Sequence, residues 1–173
     1  NPPALRALLM ISISGNKKRD REEFSDKDSL PNVSVLIAAY NEESVIKKKL
    51  LSVFATNYPL EKIKVFVGSD ASTDNTENEI LLLKEKFPNL HLIRFETRHG
   101  KIGIVNELQS LTDDEVLIMS DANVLFSKDT IPELVKSFKD MDCGIVAGNI
   151  IKLTKSDEGI SRQEKFYLSL ENK

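Results

Sequence analysis

The segment VSVLIAAYNEESVIKKKLLSVFATN, residues 33–57, sets the fold class. Its first seven residues, Val33–Ala39, are almost continuously apolar, as expected for a strand buried on both faces of a parallel sheet. Asn41 is a suitable helix N-cap. The apolar residues after it recur at helical spacing: Ile46, Leu50, Val53 and Phe54. A buried strand followed directly by an amphipathic helix is the repeating unit of α/β domains.

The same alternation continues along the chain. Apolar runs predict further strands at residues 63–69, 90–95, 115–120 and 144–153. Helical patterns follow these runs, beginning at Asp74 with Glu77 as its capping-box partner, near Lys101, at Asp129 and near Gly159. Repeated strand–helix units predict a three-layer αβα domain with a mostly parallel sheet and helices on both faces.

Composition argues against several classes of protein. The net charge of −3, from 24 basic and 27 acidic residues among 173, gives no electrostatic indication of nucleic-acid binding. Cys143 is the only cysteine, which excludes a disulfide framework and a cysteine zinc site. The two histidines, His91 and His99, are not at a metal-binding spacing. A globular domain in a cytosolic environment fits these observations.

The first 30 residues differ from the rest. Residues 4–14, ALRALLMISIS, are apolar but shorter than the roughly 20 residues that span a bilayer. We interpret them as a loose helix or as the end of a membrane helix. Residues 15–29 are densely charged and predict a solvated linker. The chain then divides into a juxtamembrane leader and linker, a ligand-binding domain and a final segment, at residues 1–30, 31–153 and 154–173.

Four polar loops follow the predicted strands. Ligands of parallel α/β sheets bind outside the carboxyl ends of the strands, so these loops are where a site is expected. They read AAYNEE, SDASTDNT, TRHGK and SDAN, at residues 38–43, 69–76, 97–101 and 120–123. Neither a G-x-G-x-x-G dinucleotide fingerprint nor a phosphate-binding P-loop motif is present.

Each loop also has a purely structural interpretation. Asn41 and Asp74 can serve only as helix caps. Asp70 is harder to explain, because it ends a buried strand four residues before the Asp74 cap. Lys101 lies at the start of a helix, where positive charge is unfavourable, and therefore needs an anionic or polar partner.

Asp121 and Asn123 indicate a ligand most directly. In an extended strand end, residues two positions apart point to the same side, so their side-chain oxygens can converge. Two such oxygens can hold a ribose or a divalent cation such as Mg²⁺ or Mn²⁺, which prefers oxygen ligands and usually shares them with phosphates. A solvated turn is the structural alternative.

The order of the motifs resembles a known family. VSVLIAAYNEESVI, SDASTDNT, RHGK and SDAN are similar to the N-terminal half of inverting family 2 glycosyltransferases, over residues 31–153. The likeness is greatest to the membrane-bound polysaccharide and poly-N-acetylglucosamine synthases. It implies a GT-A fold, a Rossmann-like sheet that binds a nucleotide-sugar, most often a UDP-sugar. Residues 154–173 would then begin the acceptor-side segment.

The resemblance implies a role for each matching residue. Ala39, Tyr40 and Glu42 would line the base and ribose pocket, and Asp70 would accept a hydrogen bond from the uracil ring N–H. Arg98 and Lys101 would lie near the base, ribose or diphosphate. The remaining pair matches the Asp-x-Asp motif, which contacts the ribose and the metal–diphosphate: Asp121 and Asn123.

Three departures from the family pattern matter. Asn123 replaces the second acid of Asp-x-Asp, and its amide oxygen brings no charge to a metal. Ser69 and Ala71 stand where the family commonly has Asp and Gly. The chain ends at Lys173, before the family's general base, and we interpret Glu164 and Glu171 as residues of the last helix. We therefore expect a truncated, inactive donor-binding half without a catalytic residue of its own.

The resemblance also implies a setting for the protein. The parent enzyme would be embedded in the plasma or inner membrane, with this domain on the cytoplasmic side and a growing glycan as acceptor. The truncated last helix would expose an apolar patch that favours self-association: Ile160, Phe166, Tyr167 and Leu170.

Two other functions remain open from the sequence. A non-catalytic nucleotide-sugar-binding module would carry the same loops. A phospho-acceptor signalling domain would need an acidic cluster after the first strand and a lysine after the fifth. The sequence has AAYNEE and NIIKL at those places, which fits that alternative poorly.

Overall fold

The structure, a computed structural model, describes residues 6–8, 30–138, 144–146 and 148. Its strands are β1 Arg6–Leu8, β2 Val33–Ala39, β3 Ile63–Asp70, β4 Leu90–Phe95 and β5 Val116–Asp121. Its α-helices are α1 Ile46–Phe54, α2 Thr76–Lys84, α3 Gly100–Gln109 and α4 Thr130–Ser137, and a 3₁₀ turn covers Leu60–Lys62. Within these ranges, no helix combines the length and apolar character that crossing a bilayer requires.

The five strands form one parallel sheet in the order β1-β5-β2-β3-β4. At the amino end of the central strand β2, Val33 lies opposite both Ile63 and Val116. At the carboxyl end, Ala38 lies opposite Asp121 and Ala39 lies opposite Ser69. Because every pair is parallel, all carboxyl ends meet at one edge of the sheet.

Helices cover both faces of the sheet. Alternate residues of β2, such as Val35 and Ile37, pack with α1, α2 and α4 in the larger core cluster. The opposite face carries the smaller cluster, in which Leu36 packs with α3: Leu36, Phe66, Ile104, Val105 and Leu108. The predicted three-layer αβα architecture with a parallel sheet is therefore confirmed.

A glycine allows α3 to approach the sheet closely. A Cβ atom added at Gly68 of β3 would lie 2.3 Å from Ile104 Cγ2 and 3.3 Å from Phe95 Cε2. Real Cβ atoms do not approach so closely, so any larger residue would move α3 away from β3. This contact sets the position of the helix whose first turn faces the site.

The bounds of β2 to β5 agree with the prediction better than the starts of α1 and α2, whereas α3 and α4 begin within one residue of their predicted starts. Helix α1 begins at Ile46, not after an Asn41 cap, because Asn41 has φ 54° and its side chain bonds to another loop. Helix α2 begins at Thr76 without the predicted capping box. Glu77, the expected partner of Asp74, instead pairs with Arg94.

The ends of the chain are described only in part. The helical interpretation of residues 4–14 is wrong for Arg6–Leu8, whose main chain pairs in parallel with β5. Residues 144–146 are not in a strand, in contrast to the predicted fifth strand. Cys143, the rest of that strand and the last helix with its apolar patch lie outside the described residues.

Candidate functional site

A cleft of about 250 Å³ opens at the carboxyl edge of the sheet. It is lined by Ala38, Ala39, Tyr40, Glu42, Asp70, Arg98, Lys101, Asp121, Ala122 and Asn123. This set contains all eight residues that the sequence predicted as ligand-binding, and it adds only two alanines of the same loops. The four polar strand-end loops therefore converge on one concave surface.

The sheet explains why these residues meet. Asp70 ends β3 and Asp121 ends β5, the two strands that flank β2. Between them β2 ends in Ala38 and Ala39, whose small side chains leave room above the strand. The carboxylates of Asp70 and Asp121 thus lie on either side of these two alanines.

Asp70 is a buried carboxylate with three donors. Its Oδ1 accepts a hydrogen bond from the His99 backbone N–H at 2.6 Å. Its Oδ2 accepts from the Gly100 N–H and from Arg98 Nε, each at 3.0 Å. Burial alone would raise the pKa of Asp70, but these donors together hold the pKa below its ordinary value.

These contacts give Asp70 a structural role, the capping of a helix, that the sequence analysis did not find. His99 is the N-cap residue of α3 and Gly100 is its first residue, and the free N–H groups at a helix start need acceptors. Asp70 caps α3, a helix about 30 residues further along the chain, and not the neighbouring α2. Its negative charge also suits the positive end of the α3 dipole.

Arg98 and Tyr40 form a flat wall of the cleft. The Arg98 guanidinium carbon lies 3.3 Å from the Tyr40 ring centroid, a stacked cation–π arrangement. Arg98 is held in this place by its bond to Asp70, while 52% of its side chain stays exposed. A stacked pair with an exposed face suits a planar ligand group.

Lys101 and Asp121 face each other across the cleft. Lys101 Nζ donates to Asp121 Oδ1, so the predicted need of Lys101 for an anionic partner is confirmed. Both side chains remain half exposed or more, at 63% and 50%. The pair can therefore separate when a ligand enters.

The donors near Asp121 fit a metal that is shared with a ligand. Asp121 and Asn123 offer one carboxylate and one amide oxygen beside the cleft. In the part of the chain that the structure describes, no group of three or more His, Cys, Asp or Glu residues could form a complete metal cage. Mg²⁺ and Mn²⁺ often take only one or two protein ligands and complete their shell with phosphate oxygens and water.

The first two loops are joined to each other. Glu43 N donates to Asp74 Oδ2 at 3.1 Å, and Asn75 N donates to Glu43 Oε2 at 2.9 Å. Thr73 N donates to Asn41 Oδ1 at 2.8 Å, and Glu42 N donates to Thr76 Oγ1 at 2.8 Å. The residues that looked like local caps thus connect two loops, which holds one side of the cleft.

Two polar residues of this region have buried surroundings that the sequence analysis did not predict. Lys49 of α1 is fully buried and bonds to the Asp121 loop. Burial lowers its pKa well below the ordinary value, although Asp121 opposes this shift. Among the described residues, Ser69 Oγ is a buried polar atom without a hydrogen-bond partner.

The spacing could have revealed Lys49. It falls three residues after Ile46 and one before Leu50, inside the apolar stripe of the helix. A lysine in that position must either extend to solvent or find buried partners.

A family model described as glycosyl transferase family 2 matches residues 34–173. The chain is 32% identical over 120 residues to a beta-monoglucosyldiacylglycerol synthase of a Nostoc species, covering 68% of the chain and 26% of that protein. It is 29% identical over 140 residues to the poly-beta-1,6-N-acetyl-D-glucosamine synthase of Staphylococcus aureus, covering 80% of the chain and 32% of that protein. The chain thus spans about a quarter to a third of the curated relatives it matches.

The fold is also similar to those of solved glycosyltransferase structures. A mannosyltransferase of Pyrobaculum calidifontis in complex with GDP-Man and Mn²⁺ superposes with a TM-score of 0.63 at 30% identity. That match covers 71% of this chain and 36% of the mannosyltransferase. S. aureus TarS residues 1–349 in complex with UDP-GlcNAc superposes with a TM-score of 0.57 at 25% identity, covering 63% and 31%. The fold is GT-A.

Proposed function

The chain belongs to glycosyl transferase family 2, and on that premise we propose that its cleft binds the nucleoside diphosphate of a UDP-sugar. The complete enzyme would transfer the sugar, with inversion, to a growing glycan. The proposal rests on one observation: Asp70 and Asp121 line the same cleft as Arg98 and Lys101. Opposite charges at the rim of a parallel sheet suit a ligand with a polar base at one end and phosphates at the other.

The base and ribose would occupy the Asp70 side of the cleft. Asp70 already accepts three hydrogen bonds, and an ionised carboxylate has about four acceptor positions. The remaining position can take the ring N–H of uracil. Ala39, Tyr40 and Glu42 would line this part of the pocket, with the Arg98–Tyr40 wall beside the ring.

The diphosphate would occupy the Asp121 side. Lys101 offers a half-exposed ammonium group, and Arg98 keeps free N–H donors at its exposed end. Asp121 and Asn123 would hold Mg²⁺ or Mn²⁺, with Asp121 also near the ribose. When bound, the metal neutralises the charge that develops on the diphosphate as the bond between the anomeric carbon and the diphosphate oxygen breaks.

The general base would come from a part of the enzyme beyond the described residues. Inverting transfer requires a carboxylate that removes a proton from the attacking acceptor hydroxyl. Of the carboxylates in the described cleft, Asp70 is occupied by three donors, Asp121 pairs with Lys101, and Glu42 would line the base and ribose pocket. We therefore propose that this chain alone binds the donor but does not transfer the sugar.

The partners and location of the complete enzyme follow the same proposal. Its acceptor would be a glycan, and it would be embedded in a membrane with this domain on the cytoplasmic side. The synthases matched in sequence make, by their names, a glycolipid and a polysaccharide, so a lipid acceptor is the alternative to a glycan. Family membership leaves the phospho-acceptor alternative without support.

Ligand binding to this chain tests the proposal directly. Thermal unfolding and titration calorimetry would be carried out with UDP, GDP and GMP, each with and without Mn²⁺. A ligand at 100 times its Kd stabilises a protein by about 2.7 kcal/mol, so a UDP complex is readily detected. We expect UDP with Mn²⁺ to stabilise the chain more than GDP with Mn²⁺, and GMP to have no effect.

A pair of matched variants localises the binding. Asp121→Asn should abolish the effect of Mn²⁺ on UDP binding. Asp113→Asn, an exposed acid in the loop before β5 at the opposite edge of the sheet, should leave it unchanged. A folded chain that binds no nucleoside diphosphate would overturn the proposed function. Stronger binding of GDP than of UDP would overturn the choice of uracil.

A further inference from the structure

Helix α1 places a fully buried lysine directly behind the Asp121 loop. Lys49 has a relative exposure of 0%. Its Nζ donates to Ser120 Oγ at 2.7 Å and to the Val124 carbonyl oxygen at 2.6 Å. Ser120 precedes Asp121, and Val124 follows Asn123, so one ammonium group bonds to both sides of the predicted metal-binding pair.

The same amine also contacts the end of this loop. Lys49 Nζ lies 3.6 Å from the ring centroid of Phe126, in a cation–π arrangement. These three contacts of Nζ all lie between Ser120 and Phe126. Removing an amine from water is costly unless it is well bonded, so the position of this loop and the burial of Lys49 depend on each other.

A second residue of α1 acts on the same loop. The Phe126 N–H donates to Ser52 Oγ at 3.0 Å, and Ser52 Oγ donates to the Lys49 carbonyl oxygen at 2.7 Å. Ser52 lies on the buried side of α1, one turn after Lys49. Helix α1 therefore holds the loop at three places: Ser120, Val124 and Phe126.

We propose that Lys49 is a positioning residue that fixes Asp121 and Asn123 in the relative arrangement required to hold a metal–diphosphate group. The proposal rests on the proposed function and extends it to a residue that does not line the cleft. The geometry gives Lys49 no direct access to the base side of the site, where Asp70 and Tyr40 lie. Its effect is therefore specific to the part of the ligand that the metal contacts.

The test compares UDP with uridine. Lys49→Met keeps a side chain of similar length but removes the donors to Ser120 and Val124. A displacement of about 1 Å at a binding group can cost up to a hundredfold in function. We expect the affinity for UDP in the presence of Mn²⁺ to fall about tenfold or more, while the affinity for uridine changes less than about twofold.

Two further variants serve as a second test of the loop contact and as a control for stability. Ser120→Ala removes one contact of Lys49 and should lower the Mn²⁺-dependent part of UDP affinity by a smaller factor. Ile80→Val is a buried change in α2, outside residues 120–126, that lowers stability, and it should leave both affinities unchanged. If Lys49→Met does not fold, the result for Ser120→Ala decides the question.

Hydrogen exchange supplies a readout that needs no ligand. The Val124 N–H bonds to the Asp121 carbonyl oxygen at 3.3 Å, and the Phe126 N–H bonds to Ser52. Either Lys49→Met or Ser120→Ala should accelerate exchange of these two amides relative to those of β2. This result stands even if the chain binds no nucleotide.

Two outcomes would overturn the proposal. One is an equal loss of UDP and uridine affinity in Lys49→Met, which would indicate general damage. The other is that Lys49→Met and Ser120→Ala, where folded, keep the wild-type gain in UDP affinity on addition of Mn²⁺. Wild-type exchange rates of the Val124 and Phe126 amides in these variants would count equally against the proposal. Failure of the wild-type chain to bind UDP would contradict the proposed function separately, and hydrogen exchange would still decide the role of Lys49.

Discussion

Lys101 Nζ donates a hydrogen bond to Asp121 Oδ1, so the carboxylate proposed to bind a metal is already paired with a cation. The two groups compete, since a metal ion and an ammonium group would share the same oxygen. A bound diphosphate would resolve this competition, because its oxygens could accept Lys101 while the proposed metal takes Asp121. Metal and diphosphate should therefore bind together more tightly than either does alone.

Replacing Lys101 tests this competition. Lys101→Met should raise the affinity for Mn²⁺ alone about two- to fivefold, as expected from the loss of an exposed ion pair. The same variant should lower the affinity for UDP with Mn²⁺, because the diphosphate loses a cationic partner. Titration calorimetry with Mn²⁺, then with UDP at saturating Mn²⁺, measures both changes. Lys48→Met, an exposed change in α1, is the control, and unaltered Mn²⁺ affinity in Lys101→Met would contradict the competition.

The Asp70 carboxylate should make a pH-dependent contribution to stability. Asp70→Asn removes a charge that accepts three hydrogen bonds, so we expect a loss of about 2 kcal/mol in the free energy of unfolding at pH 7. The pKa of Asp70 is lower in the folded chain than the unfolded value of about 3.9. Its contribution is therefore complete above the unfolded pKa and disappears as the pH falls through the folded pKa.

Urea denaturation of the wild type and Asp70→Asn at pH 7 and near pH 3 measures this effect. The difference in unfolding free energy between the two proteins should shrink at the lower pH. The exposed Asp113→Asn change should alter stability by less than about 0.5 kcal/mol at pH 7. A difference that stays constant across this range would show that the Asp70 charge contributes nothing.

The close approach of α3 to β3 predicts a large effect at a small residue. Gly68→Ala would place a Cβ 2.3 Å from Ile104 Cγ2, so the helix must shift. We expect a loss of about 1–3 kcal/mol, as found for overpacked cores, measured by chemical denaturation. Gly144→Ala is the matched control, because its Cβ would meet no atom within 4 Å. Equal effects of the two substitutions would refute this account of the packing.

Ala71 is held in a conformation that favours glycine. Its φ is 57°, in the left-handed region that costs most L-residues about 1–2 kcal/mol. Ala71→Gly removes this cost but adds freedom to the unfolded chain worth about 0.4–1 kcal/mol. We expect a net gain of about 0.5 kcal/mol in the free energy of unfolding, measured by urea denaturation.

Asn41 provides the contrasting case for Ala71. It also has a positive φ, 54°, but asparagine tolerates this region and its Oδ1 accepts the Thr73 N–H. Asn41→Gly should therefore cost about 1 kcal/mol through the lost hydrogen bond. If both glycine substitutions stabilise the protein, the bond between Asn41 and Thr73 contributes less than the geometry indicates.

The sequence predicted the bounds of β2 to β5 better than the starts of α1 and α2. Buried strands are short apolar runs with polar ends, so β2 and β4 agree with the predicted bounds and β3 and β5 differ by one residue. The eight site residues meet because a parallel sheet brings its carboxyl ends together, a rule that needs no knowledge of side-chain contacts.

Long-range contacts account for the errors. Asn41 has the residue type of a local cap, yet its side chain bonds to Thr73 in another loop. Asp74 does accept the N–H of Thr76 at the start of α2, but it also bonds to Glu43, about 30 residues away. Asp70 caps α3, a helix that follows β4 in the chain. Lys49 lies in an apolar stripe, but its partners are more than 70 residues away in the chain. Such pairings depend on the assembled sheet, and local patterns do not contain them.

Among the described residues, the short strand β1 covers the outer edge of β5. Its residues, Arg6–Leu8, pair with β5 although some 108 residues separate them along the chain, as the register of Leu8 with Leu117 shows. Such a distant contact carries a large loop-closure cost and is therefore expected to form late in folding. Until it forms, or in a protein shortened at its amino terminus, the backbone amides and carbonyls of β5 can recruit a strand from another molecule. A truncation that removes β1 should consequently convert a monomeric preparation into one that aggregates through added β-strands.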